Sequence, residues 1–103
     1  MNPADLMSIN PLLADRARLA IMANLSLAGG PVDFNTLLED LQLTKGNLSS
    51  HIRKLEEAEL VTVHKAFVDR KPRTTYACTS KGKTEMRHYL STIEALLKNK
   101  AIR

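Results

Sequence analysis

The segment TKGNLSSHIRKLEEAELV, residues 44–61, followed by FVDRKPRTTY at 67–76, decides how this chain folds. Thr44 is a good N-cap, and Leu48, Ile52 and Leu55 recur at helical spacing, so one face of the segment belongs to a core. The opposite face carries Gly46, Asn47, Ser50, Arg53 and Lys54, small or hydrogen-bonding near the start and cationic one turn later. Short polar side chains suit the edges of bases, while cations, hydroxyls and the N–H groups of a helix N-terminus suit phosphates. A solvated helix face has the same composition, so this stripe needs its neighbours to acquire a meaning.

Those neighbours follow at once. Leu60, Val61 and Val63 with Phe67 and Val68 form one β-prone run, and Thr74 to Thr79 form a second, which together predict a hairpin. Between them Asp69, Arg70, Lys71, Pro72 and Arg73 read as a polar turn. From Lys65 to Arg73 four cations (Lys65, Arg70, Lys71, Arg73) face one carboxylate, Asp69, for a net of +3. Edge strands also recruit cations to discourage aggregation. Beside a polar helix face, the same cations favour contact with phosphates or a minor groove.

Charge is distributed along the chain in the same sense. The whole carries +4, but residues 1–43 hold Arg16 and Arg18 against Asp5, Asp15, Asp33, Glu39 and Asp40, a net of −3, leaving +7 for residues 44–103. Positive charge therefore sits with the proposed reading head, as binding to a polyanion requires. With 103 residues and 44% hydrophobic composition, one cored domain is expected. The single cysteine, Cys78, leaves no intrachain disulfide and fits a reducing compartment. No signal peptide, transmembrane span or one-sided cationic membrane helix is legible, so the expected location is the cytoplasm.

Toward the N-terminus, Asn10 and Pro11 predict the start of a helix running to Gly29 and Gly30, with Leu13, Ala17, Ala20, Ile21 and Leu25 as its buried stripe. Asp33 caps a short helix through FNTLLEDL, and only Gln42 and Leu43 separate it from Thr44, which makes a helix-turn-helix. Ser80 is the expected cap of a final helix, KGKTEMRHYLSTIEALLKNK. The fold class is therefore mainly α with a β-hairpin wing: a winged helix over residues 10–79 with an added C-terminal helix over 80–101.

In this order the residues resemble the winged-helix transcriptional regulators of the MarR and ArsR superfamily, and more closely its small stand-alone DNA-binding members. LTKGNLSSHIRKLEEAELV is similar to the recognition helix and the strand after it, and RKPRTTYACTSKGK is similar to a wing followed by a T-x-x-G helix start. The resemblance implies base and phosphate contact from the helix opened by Thr44, through Lys45, Asn47, Ser49, Ser50, Arg53 and Lys54, and wing contact by Arg70, Lys71 and Arg73. His51 lies nearer the core edge. The pattern departs at Glu59, where the family often has glycine, and the helix lacks the paired cysteines of metal-sensing members. Cys78, His64 and His88 match no zinc spacing, so neither a metal nor a cofactor is assigned.

In the final helix Met86, Leu90, Ile93 and Leu97 follow a 4-3-4 spacing that Tyr89 and Leu96 widen, more than packing on one small domain needs. A homodimer is expected through these six, with Leu12, Leu19 and Met22 of the first helix available to complete it. The expected partner is double-stranded DNA at a pseudo-palindromic operator, matched by two recognition helices on a two-fold axis. No residues remain for a separate effector domain; a small-molecule effector in an inter-helix crevice is possible but nothing indicates one. No catalytic motif is present, so an enzyme is not expected. The alternative is a winged helix used for protein interaction, which should expose apolar anchors where this helix is polar. RNA binding would call for stacking aromatics, and these are 4% of the chain.

Overall fold

A computed structural model describes residues 2–98. Two 3-10 turns, Pro3–Ser8 and Pro11–Ala14, lead into α1 (Arg16–Ala28), β1 (Val32–Asp33), α2 (Phe34–Leu41), α3 (Lys45–Glu57), β2 (Val61–Val68), β3 (Lys71–Cys78) and α4 (Ser80–Lys98). Asn10 does cap a turn, accepting from the Leu12 N–H at 3.0 Å, but that turn is not the start of α1. Asp15 adopts extended backbone and its carboxylate accepts from the N–H groups of Ala17 and Arg18, so α1 begins afresh there. The helix stops at Gly29, whose φ of 71° only glycine adopts without cost.

Asp33 caps α2 through the Thr36 N–H at 2.8 Å, and Thr44 caps α3 through the Asn47 N–H at 3.2 Å, both as the sequence predicts. Val32 and Asp33 also pair with Tyr76 and Thr75, adding a third strand in the order β1-β3-β2. Two residues carry no readable periodicity, which is why this strand was not expected. In the hairpin, Val68 pairs with Lys71, leaving only Asp69 and Arg70 in the turn, at φ of 52° and 65°. The five-residue turn expected from composition is therefore a two-residue one; Lys71, Pro72 and Arg73 belong to β3.

The core runs between the four helices and one face of the sheet, built from Leu13, Ile21, Met22, Leu25, Leu37, Leu48, Leu55, Leu60, Met86 and their neighbours. Met22, expected at a partner surface, is fully buried, while Leu12 and Leu19 are half-buried against this cluster. Of the expected stripe, Ile21 and Leu25 are buried in α1 and Leu13 in the turn before it, while Ala17 and Ala20 are only half-buried.

At the end of α3 the Leu60 N–H bonds the Leu55 carbonyl and the Glu59 N–H bonds that of Glu56, both at 2.9 Å. This is a Schellman closure, and its left-handed position is Glu59 at φ 63°. The glutamate here occupies a turn that favours glycine. Thr79, rather than Ser80, caps α4: its hydroxyl accepts from the Gly82 N–H at 2.9 Å and donates to the Glu59 carbonyl at 2.6 Å. Gly82 presses on the Leu60 carbonyl, where an added Cβ would overlap the oxygen and stand 2.9 Å from the Cys78 sulfur. Of the expected last helix, residues after Lys98 lie outside the described ones.

Thermal melting checks both junctions. Glu59→Gly should stabilise the fold by about 1 kcal/mol by relieving the left-handed residue, raising the midpoint by a few degrees. Gly82→Ala should cost about 3 kcal/mol, because the atoms it meets are backbone and packed core.

Candidate nucleic-acid interface

The exposed side of α3 presents Lys45, Asn47, Ser49, Ser50, Arg53 and Lys54, while Leu48, Ile52 and Leu55 are buried on the other. Among the described residues, no hydrogen bond or ion pair engages any of those six exposed side chains, so their donors and acceptors are directed to solvent. Thr44 is exposed but its hydroxyl is occupied by the cap. The first-turn N–H groups and the helix dipole add positive potential at the same end.

His51 is half-buried and serves the scaffold. Its Nδ1 lies 3.3 Å from the Arg18 guanidinium, which also donates to the Leu12 carbonyl at 2.8 Å and sits 3.9 Å from the Asp15 carboxylate. Since arginine only donates, Nδ1 accepts and the ring proton is on Nε2. Arg18 thus fixes the exposed face of α3 relative to the start of α1. Sequence spacing gave no sign of it, because the two residues are 33 apart.

The wing cations divide into two groups. Arg73 reaches Asp33 at 3.5 Å, tying β3 to the cap of α2. The Thr36 N–H chiefly, with the Arg73 guanidinium adding, holds the Asp33 carboxyl below its ordinary value. Arg70 and Lys71 have no such partner among the described residues. Lys65, on β2, joins Ser49, Arg53, Glu56, Val63 and Tyr76 around a cleft between α3 and the wing. Burial, with Glu56 adding, pushes the Tyr76 hydroxyl up from its ordinary value.

The last helix, α4, divides its apolar residues. Met86 and Leu96 are buried within the chain and Tyr89 and Ile93 are half-buried, whereas Leu90 is 58% and Leu97 69% exposed. Leu27, at the end of α1, is 88% exposed and shares a shallow apolar groove with Ala23, Met86 and Leu90. Leu27 lies off the expected stripe of α1, so only the packing of α1 on α4 reveals that it joins this surface. His88 donates to or accepts from the Ser8 hydroxyl at 2.8 Å, and Cys78 lies 3.8 Å from the Ser26 hydroxyl. Among the described residues no three histidine, cysteine or carboxylate side chains are grouped to hold a metal.

Comparisons with known proteins agree with this arrangement. The chain is 39% identical over 67 residues to an uncharacterized protein of Methanocaldococcus jannaschii, covering 65% of this chain and 73% of that one. A solved transcriptional regulator homologue from Pyrococcus horikoshii OT3 superposes with a TM-score of 0.80 at 38% identity, over 90% of both chains. A regulator of the ArsR family does so with a TM-score of 0.60 at 25% identity, over 97% of both. The model of the winged helix DNA-binding domain family matches residues 17–97, from the first turn of α1 to the last of α4. The chain belongs to the winged helix DNA-binding domain family, and its function lies in DNA-binding transcription regulation.

Proposed function

We propose that this protein is a homodimeric regulator that reads double-stranded DNA sequence-specifically, with α3 in the major groove and the wing on the flanking backbone or minor groove. The observation that carries the reading is the set of unpartnered polar side chains on α3 beside a cationic hairpin. What sets it apart from an ordinary solvated helix face is the cationic hairpin beside it, whose Lys65 shares a cleft with Ser49 and Arg53. Asn47 and Ser50 are the base-reading residues, Lys45, Ser49, Arg53 and Lys54 the phosphate contacts, and Arg70 and Lys71 the wing contacts. Arg73 contributes by fixing the wing as well as by its charge. No described helix is long and apolar enough to cross a membrane.

The dimer reading rests on Leu90 and Leu97, exposed along α4, and on Leu27, which shares a groove with Leu90. Apolar side chains in a row at a helix surface are stabilised by a second copy, and a two-fold axis sets two recognition helices about 34 Å apart, one turn of duplex. Occupying a pseudo-palindromic site at a promoter is then the mode of control.

Fluorescence anisotropy of a labelled duplex at several salt concentrations tests the interface. Affinity should fall steeply with salt, and an Arg70, Lys71 and Arg73 triple-alanine variant should show weaker binding and a shallower slope. Asn47→Ala should change sequence preference, with about 1–3 kcal/mol at stake for a bidentate base contact. No binding at low salt would turn the reading toward a protein-interaction module. For the dimer, sedimentation should give monomers for Leu90→Asp, with weakened operator binding; dimers of unchanged mass would remove α4 from the interface.

A further inference from the structure

Phe67 is 79% exposed near the tip of the wing, and its neighbour Val68 is 44% exposed. Neither serves the core, and Phe67 is the most exposed aromatic among the large hydrophobic side chains of the described residues. Strand register places Phe67 opposite Pro72, Lys65 opposite Thr74 and Val63 opposite Tyr76. Cross-strand partners share a face and alternate residues return to it, so these six side chains stand on one side of the hairpin. Nearer the base that side looks onto α3, because Val63, Lys65 and Tyr76 line a cleft with Ser49 and Arg53. Phe67 and Pro72 therefore form an apolar tip on the same side of the wing as the recognition helix.

The surroundings select the occupant. Arg70 and Lys71 lie within four residues of Phe67 along the chain, and Lys65 precedes it on the same face. An apolar tip ringed by cations complements a polyanion with an apolar interior, which is what a stacked duplex offers once its phosphates are neutralised. The turn itself supports this use: Arg70 occupies a left-handed position at φ 65°, where glycine would be relaxed. The Arg70 guanidinium has no ion pair among the described residues.

We propose that Phe67, backed by Pro72, is a wedge that enters between adjacent base pairs from the minor groove beside the site read by α3, and kinks the duplex there. The proposal rests on the DNA reading above. Insertion is cheapest at pyrimidine–purine steps, so Phe67 would confer a preference for such a step at a position no polar side chain reads.

The test uses the full chain and a duplex carrying 2-aminopurine at successive flanking steps, with end labels that report bending by energy transfer. The parent should raise 2-aminopurine fluorescence at one flanking step and shorten the end-to-end distance. Phe67→Ala should lose both signals and bind roughly tenfold more weakly. Phe67→Leu, which keeps an apolar side chain, should retain much of the bend. A parent that binds with no change at any flanking step, or a Phe67→Ala variant that bends the duplex as the parent does, overturns the wedge and leaves the DNA reading standing. Absence of parent binding to any duplex overturns both. Vesicle binding lost in Phe67→Ala, with its DNA affinity and bend unchanged, overturns the wedge in favour of a lipid surface.

Discussion

The junction at Thr79 holds the architecture together. Its hydroxyl donates to the Glu59 carbonyl at 2.6 Å, its N–H donates to the Leu60 carbonyl at 3.0 Å, and its oxygens accept from Gly82 and Lys83. Four element ends meet there: the close of α3, the start of β2, the end of β3 and the first turn of α4. Each has backbone groups that a helix or strand leaves unsatisfied, and one threonine answers several of them. Gly82 is the geometric condition for this, since only a residue without Cβ brings α4 against the Leu60 carbonyl. The position of the wing relative to α3, on which any two-pronged grip on DNA depends, is set at this point.

The polar network separates anchoring from presentation. Charged and imidazole groups that could have served a ligand are used inside the molecule: Arg18 with His51 and Asp15, Arg73 with Asp33. These pairs connect α1 to α3 and β3 to the cap of α2, so α3 and the wing are both braced. The exposed pair of Asp33 and Arg73 contributes little to stability by itself, as exposed ion pairs do. Its value is positional, because a hairpin held only at its base would sweep a wide arc at its tip. Sites on braced elements keep the geometry that base recognition demands.

Most of this fold was legible in the residues because its signals are local. The caps at Asp33 and Thr44 and the apolar spacing of Leu48, Ile52 and Leu55 each fix an element from within its own segment, and so does the alternation around Val61 and Val63. Errors arose where a short-range choice was decided by a neighbour. Asp15 outcompeted the Asn10–Pro11 start of α1 with two side-chain bonds, and the hairpin register drew Lys71 to Arg73 out of the turn. β1 is too short to have a pattern, and Met22 looks peripheral on a helical wheel until α4 packs over it. In the candidate site, exposure of the polar face was readable, but the engagement of Arg73 with Asp33 and of His51 with Arg18 was not. Both are pairings between residues more than thirty positions apart, which no periodicity encodes.

Left-handed residues show where the chain departs from local preference. Gln42, Glu59, Asp69 and Arg70 all have positive φ, a conformation that favours glycine and, among other residues, asparagine or aspartate. Gln42 and Glu59 border α3 on both sides, so α3 is bounded by two turns that a packed environment must enforce. Leu43 and Leu60, the residues after them, turn into the core and supply that enforcement. At the wing tip no core exists to do so: Asp69 and Arg70 are exposed, and only the ladder of β2 and β3 holds the turn closed. Arg70 stands there without an ion pair among the described residues, where a glycine would relax the backbone, and the proposed contact of the wing with DNA is what would give its charge a use.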